Sequence, residues 1–156
     1  MHERSLILLK PDCVERLLIG EVIRRFENKG LDVVAMKMMQ MTQEIARKHY
    51  VEHVEKDWYP QLEEFIMQGP VVAMVLQGPE VIEVVRKLVG ATNGRQADIG
   101  TIRGDYSQSR QKNLVHASDS LASAEREVAV FFEEHEFCAP RKATDYTMRA
   151  NDETNV

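Results

Sequence analysis

Residues 71–76 (VVAMVL) form an unbroken apolar run, released by Gly69-Pro70 and closed by Gln77-Gly78-Pro79. A run of that length between turn residues reads as a buried strand and falls well short of the roughly 18 residues a membrane-spanning helix needs. Such a strand must be covered, and the flanking segments supply the cover. Residues 5–9 read as a second buried strand, ended by Lys10-Pro11 because the residue before proline is pushed toward extended geometry. Residues 31–41, rich in Val and Met with period-two alternation, read as a third.

Between the strands the apolar period changes. Ile19, Val22, Ile23 and Phe26 recur at i, i+3, i+4 and i+7, and Gly30 is placed to close that helix. Residues 43–54 read as a polar helix, residues 58–67 set Leu62, Phe65 and Ile66 on one face, and residues 80–89 carry Val81, Val84, Val85 and Leu88 before Gly90. Residues 90–112 hold four glycines and no sustained apolar period, a long loop of the kind that tends to be functional. A short strand at 114–116 and a helix at 123–132 complete the order βαββαβ. This order predicts an α/β (α+β) domain of ferredoxin-like architecture, an antiparallel four-stranded sheet covered by helices. The methionines at 36, 38, 39 and 41 are expected to pack in its core.

With 156 residues, 44% of them hydrophobic, the chain suits one compact domain burying roughly 70% of its unfolded surface. We expect that domain over residues 1–140, followed by a polar tail at 141–156 that frays from 151 onward. A net charge of −5 argues against a bulk electrostatic grip on nucleic acid or an anionic membrane, so an anionic ligand must be met locally. The N-terminal apolar run is too short for a signal sequence, which points to the cytoplasm. Cys13 and Cys138 are far apart and form no CxxC pair, so no disulfide framework is expected.

The chemistry concentrates at Asn113-Leu-Val-His116-Ala-Ser118-Asp119-Ser120. One histidine stands in a compact polar cluster without zinc-ligand spacing, which points to His116 as a nucleophile. Imidazole keeps a free lone pair at neutral pH, provided a partner on its other nitrogen fixes the tautomer, and Glu127 is the expected orienter. Asp119 is read either as the N-cap of the following helix or as a water-mediated partner of Mg2+. No GxxxxGK[ST] pattern occurs, so bound phosphates must be held by side chains rather than a P-loop. A competing pattern is His49-Tyr-Val-Glu52-His53, an H-x-x-E-H match to zinc hydrolases, with Glu63 or Glu64 as the third ligand.

The segment 113–120 resembles the signature of nucleoside diphosphate kinases. The resemblance extends to Lys10-Pro11-Asp12, Arg24-Arg-Phe26, His49-Tyr50, residues 69–74, Gly90-Ala-Thr92-Asn93 and Gly100-Thr-Ile-Arg103-Gly-Asp105, and covers about residues 4–132. It implies transfer of the terminal phosphate of ATP or another nucleoside triphosphate to a nucleoside diphosphate, by a ping-pong mechanism through phosphorylated His116, with Mg2+ on the nucleotide. It further implies that Lys10, Tyr50, Arg86, Thr92, Arg103 and Asn113 bind phosphates or ribose. Ser118 and Glu127 would support the histidine, Trp58 would stack on the base and Leu62 would line the same cleft. A homo-oligomer, tetramer or hexamer, is implied as well. A catalytically silent nucleotide-binding or scaffold protein of the same fold is the alternative. Where the family often carries proline, this chain has Gly94 and Ile99. Each lost proline loosens the chain by about 0.4–1 kcal/mol if the loop conformation is kept, which predicts a less stable assembly.

Overall fold

The computed structural model describes residues 3–139, 147–150 and 153. Strands β1 (Glu3–Leu9), β2 (Asp32–Gln40), β3 (Pro70–Gly78) and β4 (Val115–Ala117) form one antiparallel sheet in the order β2-β3-β1-β4. This is the expected ferredoxin-like sheet, with the two most apolar strands at its centre.

Side-chain alternation along β1 explains why both faces need cover. Ile7 and Leu9 enter one cluster with Val22, Phe26 and Val85, contributed by α2 (Ile19–Asn28) and α5 (Val81–Val89). Leu6 and Leu8 enter the opposite cluster with Ala46, Ile66 and Phe131, from α3 (Gln43–His49), α4 (Tyr59–Ile66) and α7 (Leu121–Phe131). All four of these β1 residues are fully buried, each worth about 1.5–3 kcal/mol of transfer free energy.

Several boundaries differ from the sequence expectation. The helix expected over 43–54 stops at His49, because Tyr50 turns into the core and the chain continues in three-residue turns (His53 N–H to Tyr50 O, 2.8 Å; Lys56 N–H to His53 O, 2.9 Å). Short helices α1 (Pro11–Glu15) and α6 (Ile102–Tyr106) occupy segments read as a turn and a loop. Proline at the first position suits α1, and the Thr101 hydroxyl caps α6 by accepting from Gly104 N–H at 3.0 Å. β4 begins one residue later than expected, because Leu114 adopts a left-handed φ of 71°. The methionine cluster divides: Met41 is buried, but Met36 and Met38 are 54% and 58% exposed on edge strand β2. Period-two alternation identifies a strand without saying that its outer half runs beyond the helices.

Of the expected tail, Met148 packs over Gly30, while 141–146, 151, 152 and 154–156 lie outside the described residues. No described helix is long and apolar enough to cross a membrane.

Candidate active site

His116 is the middle residue of β4. Its neighbours Val115 and Ala117 face the first core cluster, so alternation turns the imidazole to the opposite face, beside Leu8 and toward α7. Glu127 occupies the buried stripe of α7 between Ala124 and Phe131, a position where helical period alone calls for an apolar residue. Its carboxylate is accounted for by two partners: Oε2 lies 3.1 Å from His116 Nε2 and accepts from Ser118 Oγ at 2.7 Å. Ser118 is itself fully buried and locked to β1, its Oγ accepting from Leu6 N–H at 3.0 Å. An ionised carboxylate only accepts, so His116 carries its proton on Nε2 and leaves the Nδ1 lone pair free.

A second group forms around Asn113. Lys10, placed at the end of β1, donates through Nζ to Asn113 Oδ1 at 2.7 Å and to Gln111 O at 3.3 Å. Burial, with the Arg103 charge adding to it, lowers the Lys10 pKa to about 8. Asn113 Nδ2 in turn donates to Thr92 O and Arg110 O at 2.8 and 2.9 Å, which ties loop 90–112 together. Arg103, on α6, donates to Asn113 O (3.3 Å), Gly90 O (3.1 Å) and Val115 O (2.6 Å). The left-handed kink at Leu114 lets the carbonyls on both sides of it face this one guanidinium, which clamps the entry to β4. Three of its five N–H donors are thereby used. Burial, then the Arg86 charge, lowers the Arg103 pKa to about 10.

Arg86 and Thr92 are exposed, and Tyr50 is buried against His49, its phenol pKa raised by burial and then by Glu127. Leu62 is half-buried against the second core cluster. Trp58 is 47% exposed, so it is not a core ring. It heads a series of aromatic contacts running inward to the nucleophile candidate: Trp58 to His53 at 5.2 Å, His53 to Tyr50 at 6.4 Å, Tyr50 to His49 at 4.4 Å and His49 to His116 at 4.6 Å between centroids.

Two readings are corrected. The N-cap of α7 is Ser120, whose hydroxyl accepts from Ser123 N–H, and not Asp119. The carboxyl of Asp119 is held below its usual pKa by the Ser123 hydroxyl, then by Ser120 and the Arg86 charge. The H-x-x-E-H residues do not converge on a metal: Glu52 pairs with Arg126 at 3.0 Å, His53 Nδ1 meets Lys56 Nζ at 3.1 Å and Glu63 accepts from Gln43 at 2.7 Å. Helix α3 ends before the second histidine, so the one-turn spacing of that motif is lost.

Asp12 joins this group without any signal in the sequence. Buried at the start of α1, it accepts from Leu114 N–H at 3.1 Å through Oδ2 and so supports the strained residue before β4. Only the left-handed backbone at 114 creates that donor geometry, and no local pattern signals it. His49 is the other: 3% exposed, held well below its usual pKa by burial, with both ring nitrogens lacking a hydrogen-bond partner.

The family model described as nucleoside diphosphate kinase matches residues 3–137. A nucleoside diphosphate kinase of Rhodopirellula baltica is 60% identical over 151 residues, covering 97% of this chain and 99% of the relative. One from Methanosphaera stadtmanae is 52% identical over 138 residues, covering 88% and 91%. Among solved structures, the nucleoside diphosphate kinase of Halobacterium salinarum in complex with CDP superposes with a TM-score of 0.90 at 42% identity, covering 94% of this chain and 98% of that one.

Proposed function

We propose, from the premise that the chain belongs to the nucleoside diphosphate kinase family, that His116 Nδ1 carries the phosphate in its reaction. The activity itself is transfer of the terminal phosphate between nucleoside tri- and diphosphates. The observation that carries the residue assignment is the 3.1 Å contact of His116 Nε2 with Glu127, which leaves the other ring nitrogen as the nucleophile.

In the first half-reaction the Nδ1 lone pair forms a bond to the terminal phosphorus. The bond from that phosphorus to its bridging oxygen breaks, and the nucleoside diphosphate leaves with the electron pair. The Nε2 proton stays on the ring, where the Glu127 carboxylate stabilises the positive charge that develops. A second nucleoside diphosphate then takes the phosphate by the reverse steps, which makes the kinetics ping-pong. A loose phosphoryl transition state needs placement and positive charge above all, and Lys10, Arg86 and Arg103 supply the charge. Asn113 holds the Lys10 ammonium in place, while Tyr50 and Thr92 bound the phosphate and ribose side of the cleft. Trp58 and Leu62 form the base platform, and stacking at an exposed ring is indifferent to base identity.

Mg2+ enters on the nucleotide phosphates, as part of the substrate. It takes oxygen ligands and keeps several waters, and the ionised Asp119 carboxylate beside Arg86 fits it as a water-mediated partner. We further assign the chain to the cytoplasm, as one domain over 1–140, and to a homo-oligomer. Supporting the last, Leu17 and Ile99 are 89% and 86% exposed, and edge strand β2 presents Met36 and Met38. Sedimentation at falling protein concentration tests the assembly, and a stable monomer would refute it.

The deciding experiment incubates the protein with Mg2+ and terminally labelled ATP. An acid-labile, base-stable label on His116 that chases into added GDP is expected, and none on His116→Ala. Bound nucleotide without label would instead support the silent binding protein.

A further inference from the structure

A buried polar group without a partner costs about 1–3 kcal/mol and calls for an explanation. His49 is such a group: it is 3% exposed and neither ring nitrogen is hydrogen-bonded. Its ring stands edge-on to His116 at 4.6 Å, and His49, His116 and Glu127 each bring one donor atom into a set lying within 4.8 Å of one another. His116 Nε2 and Glu127 Oε2 are already 3.1 Å apart. Two ligands of a tetrahedral zinc ion with bonds of about 2.0–2.1 Å stand about 3.3 Å apart. Only the His49 nitrogen must approach, and it breaks no hydrogen bond in doing so.

We propose that His49, His116 and Glu127 bind one divalent transition-metal ion of the zinc class, and that this binding and phosphorylation of His116 exclude each other. Two imidazole nitrogens and one carboxylate suit zinc and its neighbours, whereas Mg2+ takes oxygen ligands, so the nucleotide's own cation does not fill the site. Exclusion follows from the imidazole ring. A neutral ring holds one proton and one lone pair. Metal on Nε2, the nitrogen that faces Glu127, displaces the Nε2 proton and holds the ring as its Nδ1–H tautomer, so the Nδ1 lone pair is gone and no nucleophile is left. Phosphorylation consumes the same lone pair. Ser118, donating to Glu127 Oε2 at 2.7 Å, orients the carboxylate from behind, and the fourth metal position is left to water. The exclusion rests on His116 being the phosphate carrier; the metal site does not.

The test is equilibrium dialysis of the full chain against Zn2+ without nucleotide, repeated with Co2+ for the strong visible absorption of a tetrahedral site. We expect one ion per chain, undisturbed by excess Mg2+. Affinity should fall at least about tenfold in His49→Phe, and should be lost in wild-type protein first phosphorylated at His116. Unchanged affinity in His49→Phe, or equal binding by the phosphorylated protein, would overturn the proposal. Should His49→Phe fail to fold, the comparison of phosphorylated with unphosphorylated wild type decides alone. A protein that never takes up label refutes the carrier assignment instead, and its zinc affinity against that of Glu127→Gln then decides the site.

Discussion

Glu127 Oε2 stands 3.1 Å from His116 Nε2, across from β4 on the buried face of α7. The contact joins a strand residue to a helix residue eleven positions later and decides which imidazole nitrogen reacts. Glu127→Gln removes the negative charge while keeping the shape, so the ring is no longer held as its Nε2–H tautomer. Leaving buried partners mismatched costs about 1–3 kcal/mol, or roughly 5- to 150-fold in the rate of histidine phosphorylation. Single-turnover kinetics measure this, and a rate equal to wild type would show that Glu127 does not orient the histidine.

Lys10 gives the site a pH dependence. Its folded pKa of about 8 lies below the ordinary lysine value of 10.5, so folding disfavours the charged ammonium. That cost is fully present below about pH 8 and disappears as pH rises toward the unfolded value. A bound phosphate favours the charged form again, so nucleotide binding at about pH 9 should take up protons. Calorimetry in buffers of different ionisation enthalpy reads this uptake, which should vanish in Lys10→Met. Binding heats independent of buffer in the wild type would contradict it.

Gly90 is held at φ +86°, and a Cβ there would lie 2.7 Å from Thr101 Cβ. Its carbonyl also accepts from Arg103 at 3.1 Å. Gly90→Ala therefore strains the backbone and displaces both the α6 cap and the Arg103 clamp. We expect a loss of about 1–3 kcal/mol, a Tm fall of about 2–4 °C for each kcal/mol, and a lower kcat/KM. Thermal unfolding with unchanged Tm would show that the turn relaxes freely.

Gly94 revises an expectation drawn from sequence. Its N–H donates to Ser109 O at 3.1 Å, and a Cβ at this position would run into the Ser107 backbone carbonyl. A proline does not fit this loop, so its absence here does not loosen a conformation that proline would have kept. Gly94→Pro should destabilise the protein by about 1–3 kcal/mol through the orphaned carbonyl alone. Denaturant titration checks this, and a gain in midpoint would restore the original reading.

The regular elements were legible because their cause is local. Ile19, Val22, Ile23 and Phe26 declare a helix by spacing, and residues 71–76 declare a buried strand by length and bounds. Segment 90–112 was recognisable as functional but not as containing α6, since five helical residues with a glycine at their centre carry no readable period. Trp58, Tyr50 and Arg86 became site candidates through family resemblance, because a lone ring or cation has no local signature.

By itself, then, the sequence determined the order of strands and helices, the ferredoxin-like class and the segment that bears the nucleophile, because these follow from short-range periodicity and from the chemistry of contiguous residues. Tertiary structure decided what depends on atoms distant in the chain meeting at hydrogen-bond range. It joined Glu127 and Ser118 to His116, joined Lys10 to Asn113 across 103 residues, and turned Leu114 left-handed so that Arg103 could hold the carbonyls on both sides. It also buried His49 against His116 without a partner. Each of these is set by packing between elements, and packing leaves no trace in residue spacing.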